Sequence, residues 1–569
     1  MERRPDGSVL LRSEEPLGEH ERSIAHVFRR RAELHADRLL ATQPDGSSIT
    51  FGEARAQADS VAQSLLDLGL NAERPLMVLS GNSIQHLVLM LGGFTAGVPV
   101  MPVSVAYSLM SKDHARIRAL AERCTPGVVW AEDAEQFGPA LDALEGVVPR
   151  APTFDELIAG EPGAAVERAL DAVVPDTVAK LLFTSGSTGA PKGVINTHRM
   201  LCSNQQMLLQ VWPFLADEPP VLVDWLPWSH TFGGNHNVNQ VLVHGGTVHI
   251  DDGKPAPPLF PKTLAALREH APTVYYNVPA GYALLVPELE KDPEFAATFF
   301  SRLRFVFYAA AALPQALWDR LRAVTPDHIA LTASWGTTET APGATTAHFA
   351  SARCGCIGVP LPGVTLKLAP VGDKLEMRVS GPNITPGYYR DSEATAAAFD
   401  EEGFYRTGDA GGLVDADDPN QGLMFDGRLA EDFKLSSGTF VRVGAVRGAL
   451  VSACGGVLSD AVIAGHDQDY AGALAWLNAA EAERACGGDP ERLRAHLAEA
   501  LARMNAEEGS ARRIERLLLL DEPANMDAGE ITDKGYVNQR AVLDRRADQV
   551  ARLYADPPDP DVISPALSI

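Results

Sequence analysis

Leu181-Leu182-Phe183-Thr184-Ser185-Gly186-Ser187-Thr188-Gly189-Ala190-Pro191-Lys192-Gly193-Val194 begins as an apolar run and opens into hydroxyls, glycines and one lysine. The run reads as a buried strand. The loop after it can turn several backbone N–H groups, several hydroxyls and a point charge towards one anion, which is what a polyphosphate needs. A Walker A loop would read Gly-x-x-x-x-Gly-Lys-Ser/Thr. Here Pro191 precedes Lys192 and Gly193 follows it, so the stretch is a phosphate cradle of another kind.

Outward from this loop, short apolar runs alternate with stretches of helical period. Residues 22–70 carry Ala25, Phe28 and Ala32, then Ala54, Ala58, Val61 and Leu65, at helical spacing. Apolar runs follow at 76–79, 128–130, 221–223, 247–250, 273–276 and 305–307. Strands alternating with helices predict an α/β fold, with a large N-terminal domain of mostly parallel sheets flanked by helices. After about Gly355 shorter strands and frequent Gly/Pro turns predict a small β-rich subdomain. A boundary near Asp426-Gly427-Arg428 divides the chain into 1–427 and 428–569, the second part a small mobile α+β C-terminal domain with a helix over 490–505. The proline-rich tail after Asp556 reads as poorly ordered.

Composition narrows the function. The 569 residues, 46% hydrophobic and 22% charged, can build large buried cores. A net charge of −25 argues against nucleic acid or an anionic membrane as partner, since both reward an excess of Lys and Arg. The stretch from Pro75 to Ser111 holds no Asp, Glu, Lys or Arg, but Gly92, Gly93, Gly97, Pro99 and Pro102 interrupt it. It therefore reads as a core strand, a buried helix ending near Gly97 and a second core strand, not a membrane span. The N-terminus lacks the apolar segment of a signal peptide. Six scattered cysteines read as reduced thiols, and Cys354-x-Cys356 has no second pair to complete a metal site. These features predict a soluble cytoplasmic protein, monomer or homodimer.

Further polar islands share the character of the first loop: 226–234 with Trp228, His230 and Phe232; 334–340 with Trp335 and Glu339; Tyr405-Arg406-Thr407-Gly408-Asp409; Gly427-Arg428; and 529–535 with Lys534. Taken singly, each has a plain structural reading. Thr-Gly-Asp makes a turn, a Glu among threonines caps a helix, and a late Lys-Gly is a solvated loop. Their order and spacing together carry the functional signal.

That ordered set resembles the acyl-adenylate-forming superfamily of acyl- and aryl-CoA ligases, luciferases and nonribosomal adenylation domains, over residues 25–545. Within it, residues 196–200, 224–237 and 529–540 are most similar to bacterial feruloyl-CoA synthases and related aromatic-acid CoA ligases. The resemblance implies activation of a hydroxycinnamic acid such as ferulic or 4-coumaric acid by ATP and Mg²⁺ to an acyl-AMP, then transfer to coenzyme A. It assigns Thr184, Ser185, Gly186, Ser187, Thr188, Gly189 and Lys192 to the β- and γ-phosphates. Glu339 would ligate Mg²⁺, Thr338 would contact the α-phosphate, and Ala309, Ala310, Ala311, Trp335, Gly336 and Thr337 would border the nucleotide. Asp409 would hold the ribose hydroxyls, supported by Arg428. Lys534 would bridge the acyl carboxylate and α-phosphate, a task suited to a compact charge. His230 would stand at the acyl entrance, with Trp228, Tyr276, Asn277 and Tyr308 around the acid.

The chain departs from the family pattern at the hinge, where Ala430-Glu431-Asp432 stands in place of a leading Asp or Lys. Lys434 falls at a basic position that would touch AMP or CoA. Ser436-Ser437-Gly438 lacks the lysine that some relatives use for CoA. The resemblance leaves open a CoA ligase for another aryl or fatty acid, an oxidative user of the acyl-AMP, or an adenylation enzyme that loads a carrier protein in trans.

Overall fold

The charge-free stretch folds into strand Leu76–Leu79, helix Ile84–Ala96 and strand Val100–Val103, the two strands paired in parallel from Leu76 opposite Val100. Every residue of both strands is buried, which is why they read as unbroken apolar runs. In this computed structural model the described residues are 1–185, 191–256, 258–311, 313–349, 354–507, 512–531 and 537–566.

Contacts divide the chain into two units, one of residues 1–370, 377–407 and 413–424, the other of 371–376, 408–412 and 425–569. The first contains a five-stranded sheet in the order 128–131, 76–79, 100–103, 178–185, 191–197, parallel until the last pair, where Val178–Ser185 and Pro191–Thr197 form an antiparallel hairpin. A four-stranded sheet runs 221–224, 247–250, 39–42, 48–50. In a third sheet, Val274–Asn277, Phe305–Tyr308 and Ala330–Gly336 are parallel, and Gly343–Thr346 and Cys356–Pro360 continue it antiparallel. Helices Phe51–Asp67 and Ile84–Ala96 pack together over the first sheet, burying Ala54, Ala58, Val61 and Leu65.

The second unit has a three-stranded sheet, Leu458–Ala464, Ala471–Leu477 and Ile514–Leu519, the first pair antiparallel and the second parallel. Helices Val443–Ala453 and Pro490–Glu507 cover it with Val446, Leu450, Leu497 and Leu501, so this unit is α+β. Among the described residues no helix is long and apolar enough to cross a membrane.

Three features depart from the sequence reading. The span 22–70 is not helical throughout: hairpin Leu39–Thr42/Ser48–Thr50 separates helix Ile24–Leu34 from helix Phe51–Asp67, closed by a turn in which the Gln43 N–H donates to Ser47 O at 2.9 Å. The N-terminus contributes strand Val9–Arg12, paired with Thr365–Val371. The tail after Asp556 is anchored, since Ile563 is buried and exchanges two 2.8 Å backbone hydrogen bonds with Leu517.

Candidate active site

The phosphate-loop stretch is a hairpin, with Thr184 opposite Lys192 and Ser185 opposite Pro191. Gly186, Ser187, Thr188 and Gly189 at its tip lie outside the described residues, as do the side chain of Ser185 and all of Lys534. Beyond the tip, the returning strand is met by the segment that carries Tyr388. The Ile195 N–H donates to Gly387 O at 3.1 Å, and the Tyr389 N–H donates to Gly193 O at 2.7 Å. This sets the Tyr388 ring under Lys192, whose Nζ is 5.0 Å from the ring centroid.

The Tyr388 hydroxyl donates to Glu339 Oε1 at 3.0 Å, and the Tyr405 hydroxyl lies 3.3 Å from it. Burial, and then the Glu339 charge, push both phenols well above their ordinary pKa, so both remain protonated donors. The Thr385 N–H donates to Glu339 O at 2.8 Å while its hydroxyl donates to Ile195 O at 2.7 Å. One threonine thus ties the glutamate backbone to strand Pro191–Thr197. Lys192 and Glu339, 147 positions apart by subtraction of their numbers, are joined through one tyrosine ring. Neither Tyr388 nor Tyr405 stood out in the sequence. The available signal was proximity, as Tyr405 opens the island that ends in Asp409.

Glu339 lies in a single helical turn, Thr338–Thr340, after strand Ala330–Gly336. Gly336 is required there: a Cβ would lie 1.8 Å from Pro342 O, so the chain folds tightly back on itself. The Thr337 N–H donates to Thr340 Oγ1 at 2.8 Å. Asn383 Nδ2 donates to Thr340 O at 3.0 Å and Gly343 O at 2.8 Å, and Asn204 Nδ2 donates to Gly343 O at 2.9 Å. Trp335, Thr338 and Glu339 are buried. Ala309–Ala311 leave the end of strand Phe305–Tyr308, with Ala310 in the left-handed region (φ 74°) and exposed together with Ala311.

The residues that the resemblance assigns to the acid separate by the pleat. Tyr276 stands opposite Phe307, and Tyr308 opposite Asn277, one register step on and so on the other sheet face. The Tyr276 ring meets His236 at 4.7 Å and Phe307 at 5.1 Å, with Phe232 5.7 Å from both Phe307 and His236. Its hydroxyl donates to Gln240 Oε1 at 2.7 Å. Tyr308 packs instead in a separate cluster with Leu313 and Ala333. Asn277 is buried, its Oδ1 accepting from Trp225 Nε1 at 3.3 Å and its Nδ2 donating to the Tyr275 hydroxyl at 2.8 Å. Trp228 is also buried, its ring edge-on to His86 at 5.5 Å and its backbone N–H donating to Asn82 Oδ1 at 2.9 Å. His230 is half-buried, and its Nδ1 accepts the Phe232 N–H at 3.3 Å, which leaves the proton on Nε2. Burial lowers the His236 pKa to about 4, so the ring is neutral near pH 7, and its Nδ1 lies 2.9 Å from Asn237 Oδ1.

In the second unit, Asp409 Oδ1 lies 3.6 Å from Arg428 Nε; the carboxylate is largely buried and the guanidinium exposed. The Gly408 N–H donates to Glu376 Oε1 at 3.2 Å, and the Leu429 N–H donates to Gly408 O at 2.9 Å, linking the two short segments. Lys434 is exposed on a two-residue strand opposite Phe440. In the stretch Ala430-Glu431-Asp432, Asp432 pairs with buried Lys374 and accepts the Val443 N–H at 2.9 Å.

The family described as AMP-binding enzyme matches residues 28–389, and its C-terminal domain matches residues 435–557. A 3-[(3aS,4S,7aS)-7a-methyl-1,5-dioxo-octahydro-1H-inden-4-yl]propanoyl:CoA ligase from Mycobacterium tuberculosis is 31% identical over 408 residues, 67% of this chain and 76% of that protein. A feruloyl-CoA synthase from an Amycolatopsis species is 28% identical over 406 residues, 69% of this chain and 76% of that one. Among solved structures, an anthranilate CoA ligase in complex with anthranoyl-AMP superposes with a TM-score of 0.73 at 20% identity, covering 94% of this chain and 98% of that chain.

Proposed function

Because this chain belongs to the AMP-binding enzyme family, the acyl-adenylate-forming enzymes, we propose that it activates an aromatic, hydroxycinnamate-type acid and joins it to coenzyme A. The observation that carries this reading is the convergence of Lys192, Tyr388 and Glu339 beside the phosphate hairpin. In the first half-reaction an oxygen of the acid attacks the α-phosphorus of ATP and the bond to pyrophosphate breaks. In the second, the CoA sulfur attacks the acyl carbon and AMP leaves. Such transfers depend on positioning and charge neutralisation. Thr184, Ser185, Ser187, Thr188 and Lys192 hold the departing β- and γ-phosphates. Thr338 contacts the α-phosphate, Asp409 the ribose, and Lys534 the α-phosphate and the acid together.

Mg²⁺ fits the donor set, because Glu339 offers hard carboxylate oxygens in an orientation fixed by Tyr388. When bound, it neutralises phosphate charge. Glu339 would hold it.

The aromatic assignment is supported by the likeness to a feruloyl-CoA synthase and by the rings packed around Tyr276. Phe232, His236, Tyr276 and Phe307 form a buried ring-on-ring cluster with few polar atoms, an apolar surround of the kind that suits a flat ligand. With His236 Nδ1 donating to Asn237, its Nε2 is an acceptor for a phenolic hydroxyl. His230, its proton on Nε2, stands at the entrance. The two ligase relatives support CoA as the acceptor.

The test is pyrophosphate release and thioester formation across hydroxycinnamic, benzoic, alicyclic propanoic and fatty acids, each with and without CoA. Preference for hydroxycinnamates with CoA-dependent turnover is expected. Preference for fatty or alicyclic acids overturns the aromatic assignment, and absence of pyrophosphate release with every acid overturns the ligase reading.

A further inference from the structure

Lys180 has no part in the chemistry above, yet it is the most unusual charge in the first unit. It lies within strand Val178–Ser185, wholly buried, four positions before Thr184. Its Nζ donates to Gly234 O at 2.6 Å and stands 5.6 Å from the Phe94 ring centroid. No carboxylate among the described residues pairs with it, and burial alone lowers its pKa to about 7. The titratable groups that face it are His86 and His198, whose pKa values burial lowers to about 4 and about 3, so both are neutral. A buried amine without a counter-charge is costly, and an apolar side chain of similar length would not carry that cost.

Its acceptor sits at an equally constrained place. The Gly234 N–H donates to His230 O at 2.8 Å, while the Gly234 carbonyl takes the Lys180 amine. A Cβ at Gly234 would lie 2.2 Å from Trp228 O, so this backbone is pressed against the segment that leads into His230. Gly234 belongs to the wide helical turn Phe232–Asn237, which also carries His236. The strand that holds Lys180 runs directly on to Thr184 and pairs through it with Lys192.

We propose that Lys180 is a positioning residue that ties the acyl-side turn, His230 to His236, to the strand delivering the phosphate loop. The acid is thereby held in register with the nucleotide. The proposal rests on the ligase reading for its kinetic consequence, but not for its structural one.

The full chain is compared as wild type, Lys180→Met, Lys180→Arg and Phe94→Leu; the last loosens the same core while keeping the amine. Losing one buried hydrogen bond at this turn should raise KM for the acid roughly tenfold in Lys180→Met, with KM for ATP moving less than about twofold. Lys180→Arg, which keeps a donor, should recover part of the loss, and Phe94→Leu should leave the acid KM in place. Hydrogen exchange should quicken at the amides of 232–238 in Lys180→Met and stay unchanged at 178–182. An unaltered acid KM, or acid and ATP KM values rising together in both Lys180→Met and Phe94→Leu, overturns the proposal. If the wild type releases no pyrophosphate with any acid, the ligase reading falls and exchange alone decides. Quickening confined to the turn then supports the tie, and unchanged exchange overturns it. Should Lys180→Met not fold, Lys180→Gln is read by the same criteria.

Discussion

The Tyr388 hydroxyl donates to the Glu339 carboxylate at 3.0 Å while the Lys192 ammonium rests over the same ring at 5.0 Å. Tyr388→Phe separates these contacts, because the ring under Lys192 remains and only the hydrogen bond goes. A largely buried carboxylate that loses a donor costs about 1–3 kcal/mol. We predict a ten- to hundredfold fall in kcat/KM for ATP, about the same energy at 1.4 kcal/mol per decade. Raised Mg²⁺ should partly offset it if Glu339 holds that ion. Pyrophosphate release titrated against free Mg²⁺ tests this; a Mg²⁺ profile matching wild type would remove Tyr388 from the site.

In the second unit, the wholly buried Glu530 accepts from Arg546 Nε at 2.6 Å and Nη2 at 2.9 Å, from Arg545 Nη1 at 2.7 Å and from the Asn525 N–H at 2.7 Å. Burial opposes the charge, but Arg546 and the Asn525 N–H outweigh it and hold the carboxyl below its ordinary pKa. Removing one partner of a buried pair strands the other, at about 3–5 kcal/mol. Glu530→Ala is therefore expected to lower the urea midpoint of the transition reported by Trp476, on whose ring Arg546 stacks at 5.5 Å. Since the folded pKa is depressed, this stabilisation is present above the ordinary carboxylate range and is lost as pH falls below it. The gap between variant and wild type should shrink in acid. A gap that is flat with pH would show the carboxylate charge to be irrelevant.

How much of this was legible depends on what each feature needs. Runs such as 76–79 and 221–223 were readable because both faces of a parallel strand are buried, leaving an unbroken apolar signature. Hairpin 39–50 was not, because its short strands, Leu39–Thr42 and Ser48–Thr50, lie between two strong helical periods. Lys192 and Glu339 were legible as residue types in order, whereas Tyr388, which joins them, depends on a cross-chain bridge to Val194 that no local spacing encodes. Tyr276 and Tyr308 read alike in sequence, yet a single register step sends them to opposite faces. Lys180 sits in an apolar run where a lysine would ordinarily be expected to reach solvent.

The same lysine predicts an unusual pH dependence of stability. Its folded pKa, lowered to about 7 by burial, lies below the ordinary lysine value of 10.5, so the unfolded chain binds more protons between those limits. Stability therefore rises with pH across that window, and the cost is fully present below it. At about 1.4 kcal/mol per pH unit the shift amounts to several kcal/mol at most. His86 and His198, neutral down to about 4 and about 3, do not titrate there. Lys180→Met should melt higher than wild type at pH 6 and lose most of that advantage by pH 10. A constant difference across that range would mean the amine is solvated in the folded chain.

The strongest test of the proposed chemistry is Lys534, whose role is assigned by family likeness. If it bridges the acyl carboxylate and α-phosphate only during adenylation, its loss must separate the two half-reactions. Lys534→Ala should cut pyrophosphate release by about a hundred- to a thousandfold, the range seen when one charge-stabilising donor is removed. Thioester formation from supplied acyl-AMP and CoA should fall less than about threefold, because that step breaks the acyl–phosphate bond and does not form it. Both rates are measured on one preparation, with thioester absorbance for the second. Equal losses would mean that Lys534 supports folding or both reactions; survival of both would pass the adenylation role to another cation.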